Sequence, residues 1–336
     1  MKPEVDVVIL SFNRTESTIQ AIESALAQEG VRVKVWVIEQ GTKSDLTALR
    51  QACHPEQIQL VELGSNIGVA AGRNLGARLG KAPCIAFLDN DADFVESDLL
   101  AQASHILGSR VAVVGLRLVE AATGKLDRLN WVYPDRFQCE EEPKLVGRFA
   151  GGACVLSRRA FESTEGFDEA LFFMDEEVEL SYQLVQRGYQ ILYHPGLSVR
   201  HYLSGENRIE WADGRYAHHT RNMLYITWKH YRSWTQVLIL GLGYLLKGAL
   251  NGLSGEAYRG WRSGLSLCRR TKRGEPLSKD ARAYLKSHHD AYRGGVRGIL
   301  FQEVLSKLPQ ARPASQNASH KRSNTFNRQA SDGKNV

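Results

Sequence analysis

The ten residues Cys84-Ile85-Ala86-Phe87-Leu88-Asp89-Asn90-Asp91-Ala92-Asp93 constrain the chain more than any other stretch. Five apolar residues bounded by charge read as a buried strand, and the strand breaks off into three carboxylates at alternate positions. Alternate residues of an extended strand share a face. A strand end or a turn is therefore needed to aim two such carboxylates at one small ion without burying unpaired charge. Hard oxygen ligands suit Mg²⁺ or Mn²⁺, and in an open α/β sheet the ligand crevice lies just beyond the carboxyl ends of the strands. A solvated acidic turn after a strand fits the same ten residues.

The flanking sequence supplies the sheet this strand needs. Val5 to Leu10 is an almost continuous apolar run, as in a strand covered on both faces, and it stops at Ser11-Phe12-Asn13-Arg14. A helix with Ile19, Ile22 and Leu26 at helical spacing follows, which Thr15 or Ser17 can cap. Val31 to Ile38 is a second strand ending in Glu39-Gln40-Gly41-Thr42, a helix covers Leu46 to Ala52, and Ile58 to Val61 is a third strand. Successive βα units predict an α/β fold with a Rossmann-like, mostly parallel central sheet and flanking helices.

Between the third strand and the acidic one lies Gly64 to Gly76. Its glycines at 68, 72 and 76 form one bare stripe on a helix. Tight helix-to-sheet packing accounts for Gly76, whereas Asn66, Arg73 and Asn74 carry polar ends that packing does not require. The spacing is neither a dinucleotide fingerprint nor a P-loop. Further on, Ser97 is a cap for a helix through Leu107, and Val111 to Leu116 is another strand. Residues 120–144 read as a loop or small hairpin over the site, and Gly151-Gly152 breaks a strand that ends at Leu156.

Asp175, Glu176, Glu177 and Glu179 crowd the start of a helix that ends near Gly188. Acids there suit the helix dipole, which explains a well-capped surface helix. The preceding Phe172-Phe173-Met174 would instead bury the helix start and raise a carboxylate pKa toward that of a general base. His201, at the end of a later strand, can offer an imidazole to a metal, while His194 precedes a proline turn and reads as structural.

Beyond residue 215 the chain turns helical. Val237 to Leu246 is strongly apolar but shorter than the ~20 residues that span a bilayer. With Trp228, Trp234, Tyr244 and Lys247 around it and Arg259, Arg262, Arg269, Arg270, Lys272 and Arg273 after it, the run suits either a membrane interface facing anionic lipid or a buried helix. From residue 307 the polar composition predicts a disordered tail. Three parts are expected: residues 1–215, a helical extension 216–306 and the tail 307–336. The net charge of +6 favours anionic partners, but no dense basic run interleaved with aromatics marks the first two thirds, so nucleic acid is excluded. Five cysteines without metal-site spacing, and an N-terminus that enters a strand at once, predict a reducing, cytoplasmic setting without a signal peptide.

Taken together, these motifs resemble the family 2 glycosyltransferases, inverting enzymes of the GT-A fold, and in particular their bacterial rhamnosyltransferase-like branch. The resemblance covers about residues 5 to 230. It rests on Val8 to Arg14, on Ser65-Asn66-Ile67-Gly68 through Gly76, on Leu88-Asp89-Asn90-Asp91, on Phe172-Phe173 with Glu176 to Leu180, and on Arg221-Asn222. It implies a nucleotide-sugar donor, a lipid-linked or polysaccharide acceptor, and a Mn²⁺ or Mg²⁺ ion at Asp89 and Asp91, to which His201 adds the imidazole read above. It further implies donor contacts from Ser11, Phe12, Asn13, Arg14, Glu39, Asn66, Gly68, Arg73, Asn74, Asp89 and Asn90. Glu177 is the implied base with Glu176 as its rival, and Gly151, Gly152 and Glu179 fall on the acceptor side. Two departures stand out: Glu39 and Glu177 occupy positions where the family carries aspartate. A catalytically inactive nucleotide-sugar-binding or scaffold protein is the alternative, and peripheral contact with the inner membrane is expected.

Overall fold

The computed structural model describes residues 2–41, 45–54, 56–202, 210–271, 275–293 and 304–308. Thr42, Lys272, Arg273 and the tail beyond Leu308 lie outside the described residues.

The strands are β1 (Glu4–Ser11), β2 (Arg32–Glu39), β3 (Ile58–Glu62), β4 (Cys84–Asp89), β5 (Ala92–Phe94), β6 (Val111–Glu120), β7 (Lys144–Val146), β8 (Ala153–Ser157) and β9 (Gln190–His201). The helices are α1 (Thr15–Leu26), α2 (Thr47–Ala52), α3 (Val69–Leu79), α4 (Leu99–Ile106), α5 (Arg158–Glu162), α6 (Glu176–Gln186), α7 (Arg215–Tyr231), α8 (Trp234–Leu250), α9 (Ser254–Arg270) and α10 (Lys279–His288). The strands form one mixed sheet in the order β3-β2-β1-β4-β8-β6-β9-β5, with β7 on β9. The β3-β2-β1-β4 half is parallel. Beyond it, β8 runs antiparallel to both β4 and β6, while β6 and β9 are parallel.

The apolar runs explain the layering. In β1, Val5, Val7 and Ile9 face a core shared with α1, α2 and α4, and Val8 faces the opposite core with α3, α5 and α6. Gly76 lets α3 close on β1, since a Cβ there would lie 2.3 Å from Val8. Within the sheet, buried Asp6 accepts from Arg158 Nη2 (2.8 Å), Trp36 Nε1 (2.8 Å) and the Ala82 amide (2.7 Å). A buried carboxylate so fully partnered is the condition under which burial is tolerated.

Three local expectations change. Thr15 and Ser17 donate to the Asp45 and Arg14 carbonyls instead of capping α1. Helix α4 begins at Leu99 after Asp98, without a side-chain cap. β9 also runs through His194-Pro195: the pairing with β6 jumps from Leu116↔His194 to Arg117↔Ser198, and this bulge takes up the proline, which has no N–H for the ladder. C-terminally, α7, α8 and α9 pack as a helical layer, while α10 returns to the sheet through Ala281 and Leu285.

Candidate active site

At the carboxyl ends of β1 and β4 opens a cavity of ≈ 820 Å³. One wall is Ser11, Phe12, Arg14 and Gln40, the floor is Asn66, Arg73, Asp89, Asn90, Gly151 and Gly152, and the far wall is Phe173 to Val178. Trp131 to Asp135 line it as well, and so do Trp211, Arg215, His219, Ser306 and Leu308 from the C-terminal region. The acidic turn and the Glu176-Glu177 helix start therefore share one cleft.

Sheet order explains the acidic corner. The short β5 pairs with the end of β9, opposing Ala92 to His201, so a histidine 110 positions along the chain from Asp91 arrives beside it. His201 Nε2 stands 3.3 Å from Asp91 Oδ1, and its Nδ1 stands 2.9 Å from Asp127 Oδ2. Burial alone would lower the His201 pKa, but the bonds to Asp127 and Asp91 outweigh it and raise it to about 10. Asp91 moves below the ordinary carboxylate range: burial opposes ionisation, and His201 and Arg14, whose Nη1 lies 2.6 Å away, overcome it.

Asp89 turns away from this pair toward Arg73 Nη2 at 3.2 Å. Among the described residues no three acidic, histidine or cysteine side chains close on one point. The donors that do meet fit a divalent cation once it displaces the proton on His201 Nε2: a hard carboxylate oxygen beside an imidazole whose other nitrogen is held by a carboxylate, the arrangement that orients a metal-ligating histidine.

Arg73 links the Asp89 end of the floor to the far wall, with Nη1 2.7 Å from Glu176 Oε1. The glycines beneath it leave room for that close approach: a Cβ on Gly151 would lie 2.4 Å from Arg73, and one on Gly152 2.0 Å from the Asp89 carboxyl, so either would push these side chains aside. Glu176 is buried and ion-paired; burial raises its pKa although Arg73 pulls it down. Glu177 is half-buried on the cavity wall and makes no side-chain hydrogen bond among the described residues, and burial with the charges of Glu176 and Asp175 pushes its pKa up to about 8. A carboxyl tuned in this way can take a proton near neutral pH.

The turn before α6 is strained. Phe172, Met174 and Asp175 have φ of 61°, 70° and 63°, a left-handed conformation that side chains rarely adopt. Asn222 Nδ2 lies 2.8 Å from the Phe173 carbonyl and 2.7 Å from that of Met174, and Arg221 Nη2 donates to the Ala170 carbonyl at 2.6 Å. From the other side, the Val69 amide donates to the Phe172 carbonyl at 2.6 Å, and Gly68 (φ 89°) leaves room for the Phe172 ring. His219 Nδ1 holds Asp175 at 2.9 Å.

Several expected donor residues do not line the cavity. Glu39 is buried, and its Oε1 accepts the amides of Asn13 (3.3 Å) and Gly41 (2.6 Å), so its neighbour Gln40 faces the cavity instead. Asn74 pairs with the Phe167 backbone through Nδ2 (2.8 Å) and Oδ1 (2.9 Å), securing the segment that leads to the strained turn. Glu179, expected on the acceptor side, is interior, with Lys229 Nζ at 2.9 Å and His230 Nε2 at 3.0 Å. Gln40, Asp127, His219 and the Asn222 clamp were missed in the sequence. The recurrent Arg221-Asn222 pair was a visible signal for the last, but nothing local marks Asp127.

A mixed sheet of this order, with an acidic turn at the end of β4 facing a paired-carboxylate helix, has the architecture of the GT-A fold. Residues 6–164 match the family model Glycosyl transferase family 2, and the chain carries a family 2 glycosyltransferase domain. It is 35% identical over 201 residues to the succinoglycan biosynthesis protein ExoO of Rhizobium meliloti (strain 1021), covering 55% of this chain and 57% of that protein. It is also 28% identical over 116 residues to the N-acetylglucosaminyl-diphospho-decaprenol L-rhamnosyltransferase of Mycobacterium tuberculosis (strain ATCC 25618 / H37Rv), covering 34% of this chain and 36% of that one. The match thus spans little more than half of the first relative and about a third of the second. In fold the chain resembles the mannosyltransferase PcManGT from Pyrobaculum calidifontis, solved with GDP-Man and Mn²⁺, with a TM-score of 0.55 and 16% identity over 87% of this chain and 85% of that one.

Proposed function

We propose that the protein moves a sugar from a nucleotide-sugar to a hydroxyl of a lipid-linked or polysaccharide acceptor by single displacement with inversion, at the cytoplasmic face of the membrane. The observation that carries this reading is that Asp89 and Glu177 line the same cavity, whose floor is braced by Arg73. A donor fits with its base toward Phe12 and Gln40 and its ribose-phosphate side toward Asn66 and Arg73. Asp91 and His201, with Asp89 nearby, would hold Mn²⁺ or Mg²⁺, and what a bound ion supplies is neutralisation of charge on the leaving diphosphate. Glu177 takes the proton of the acceptor hydroxyl as that oxygen attacks the anomeric carbon from the face opposite the leaving group. Glu176, committed to Arg73, fixes the helix start and leaves the base role to Glu177. The acceptor enters past Trp211, Arg215 and His219.

The reading draws support from the domain match and from the succinoglycan and rhamnosyltransferase relatives. It is tested by a thermal-shift screen of nucleotides and nucleotide-sugars with and without Mn²⁺, followed by product analysis with the best binder. Ligands that bind the native state raise the apparent melting point by mass action. A donor that stabilises the protein with Mn²⁺ and yields an inverted product is the expected result; no stabilisation by any of them overturns it.

A further inference from the structure

Helix α8 has two different faces. Val237, Gly241, Tyr244 and Gly248 are buried against α7 and α9, whereas Trp234, Leu238, Leu242, Leu246 and Leu250 recur every four residues on the opposite, exposed face. Ile239 and Leu242 are 66% and 63% exposed. From Trp234 to Leu250, seventeen residues of helix, the apolar stripe runs about 24 Å. The one charged residue of α8, Lys247, is turned inward with Nζ 3.3 Å from Ser306 Oγ.

Among the described residues of α8 and α9, the exposed charges beside the stripe all have one sign. On α9, Arg262, Arg269 and Arg270 are exposed, and the single acid of the two helices, Glu256, is buried and paired with Arg259. Tyr258, 55% exposed, lies on α9 one turn before Arg262. An exposed leucine stripe flanked by an aromatic and by unopposed arginines is complementary to a bilayer whose headgroups are anionic. Among the described residues no helix is long and apolar enough to cross a membrane, so the surface suits lying on it.

We propose that the outer face of α8 and the adjoining arginines of α9 seat the protein on an anionic lipid surface. The seat is placed for the site. Tyr244, on the inner side of α8, packs 5.1 Å from the His219 ring, and Asn251 Oδ1 accepts the Leu308 amide at 3.0 Å; His219 and Leu308 both line the cavity. The helix that meets lipid therefore backs the cavity wall, which suits an acceptor anchored in the same bilayer. That last step rests on the transferase reading; the lipid seat does not.

The test is co-sedimentation of the full chain with phosphatidylcholine vesicles alone and with phosphatidylglycerol mixed in, measured without donor so that a failure of transfer and a failure of binding are separate results. The wild type binds the anionic vesicles, and binding falls at higher salt. Leu242→Gln with Leu246→Gln, and independently Arg262→Glu with Arg269→Glu, each weaken binding about tenfold or more while melting as the wild type does. Absence of wild-type binding to anionic vesicles, or either folded variant binding as the wild type does, overturns the proposal. So does a lipid-free dimer, seen by light scattering, that Leu242→Gln dissociates, because the face would then be covered by a second copy.

Discussion

Arg73 Nη1 lies 2.7 Å from Glu176 Oε1 while its Nη2 lies 3.2 Å from Asp89 Oδ1, so one buried guanidinium ties the end of β4 to the start of α6. The resemblance implied Glu177 as the base and left Glu176 as its rival. The ion pair separates them, since an acid neutralised by arginine is a poor proton acceptor and its neighbour feels burial without a partner.

Removing the guanidinium leaves Glu176 as an uncompensated buried charge. Arg73→Met is expected to cost about 3–5 kcal/mol in urea unfolding, the usual penalty for breaking a buried pair from one side. Arg73→Met combined with Glu176→Gln should recover a large part of that loss, because the second change removes the stranded charge. Additive losses in the double variant would mean the pair is not the unit described here.

Glu177 yields a kinetic and a pH prediction. Glu177→Gln should lower the transfer rate about 10²–10⁴-fold with donor affinity retained, as expected for loss of a general base. With the base at about 8, the wild-type rate should rise as pH passes upward through about 8, because the acting form is the deprotonated one. The stability sign follows from the same shift. A carboxyl whose folded pKa lies above its unfolded value of about 4.3 holds its proton more tightly in the native state, so its contribution is present below that pH and is lost as pH rises to the folded value. Melting curves of Glu177→Gln against wild type should diverge in favour of the variant between those limits, and parallel curves would contradict the raised pKa.

The acidic corner is tested through Asp127, which touches His201 and not the proposed ion. Asp127→Asn keeps the size of the side chain but removes the charge that orients the imidazole. Mn²⁺ affinity by calorimetry should fall about 10–100-fold, the usual effect of losing an outer carboxylate. Unchanged affinity would remove His201 from the ligand set.

Much of this architecture was legible because apolar runs flanked by charge specify strands without reference to their neighbours. Val5 to Leu10 and Cys84 to Leu88 are of that kind, and Asp89 and Asp91 followed from where the second one ends. What the pattern does not contain is pairing order. Asp127 lies 74 positions before His201 and reaches it because β6 pairs with β9, opposing Glu120 to His201. Glu39 was misplaced for a smaller reason. A residue at the end of a strand chooses between ligand and backbone according to the next turn, and the amides of Asn13 and Gly41 claim it. The two faces of α8 were visible as a mixture of apolar and small residues, but which face met α9 depended on the packing of Gly241 against Trp261.

The strained turn supplies the last test. Left-handed conformations at Phe172, Met174 and Asp175 cost of order 1–3 kcal/mol each and persist where surrounding contacts fix them. The contact that spans the turn is the Asn222 carboxamide, within 3.2 Å of the Leu171 carbonyl as well as those of Phe173 and Met174. Asn222 is a positioning residue: it touches neither the proposed donor site nor the acidic corner, and it fixes the backbone from which Glu177 projects. Asn222→Ala strands buried carbonyls and should lower stability by about 1–3 kcal/mol. Its kinetic signature should fall on kcat, with the KM for donor nearly unchanged, because Asp91, His201 and Phe12 stay where they are. Adding Met174→Gly, which removes the side-chain penalty of the left-handed conformation, should restore part of the melting temperature without restoring kcat. Recovery of both together would mean that Asn222 serves folding alone, whereas stability returning without turnover ties the clamp to the aim of the base.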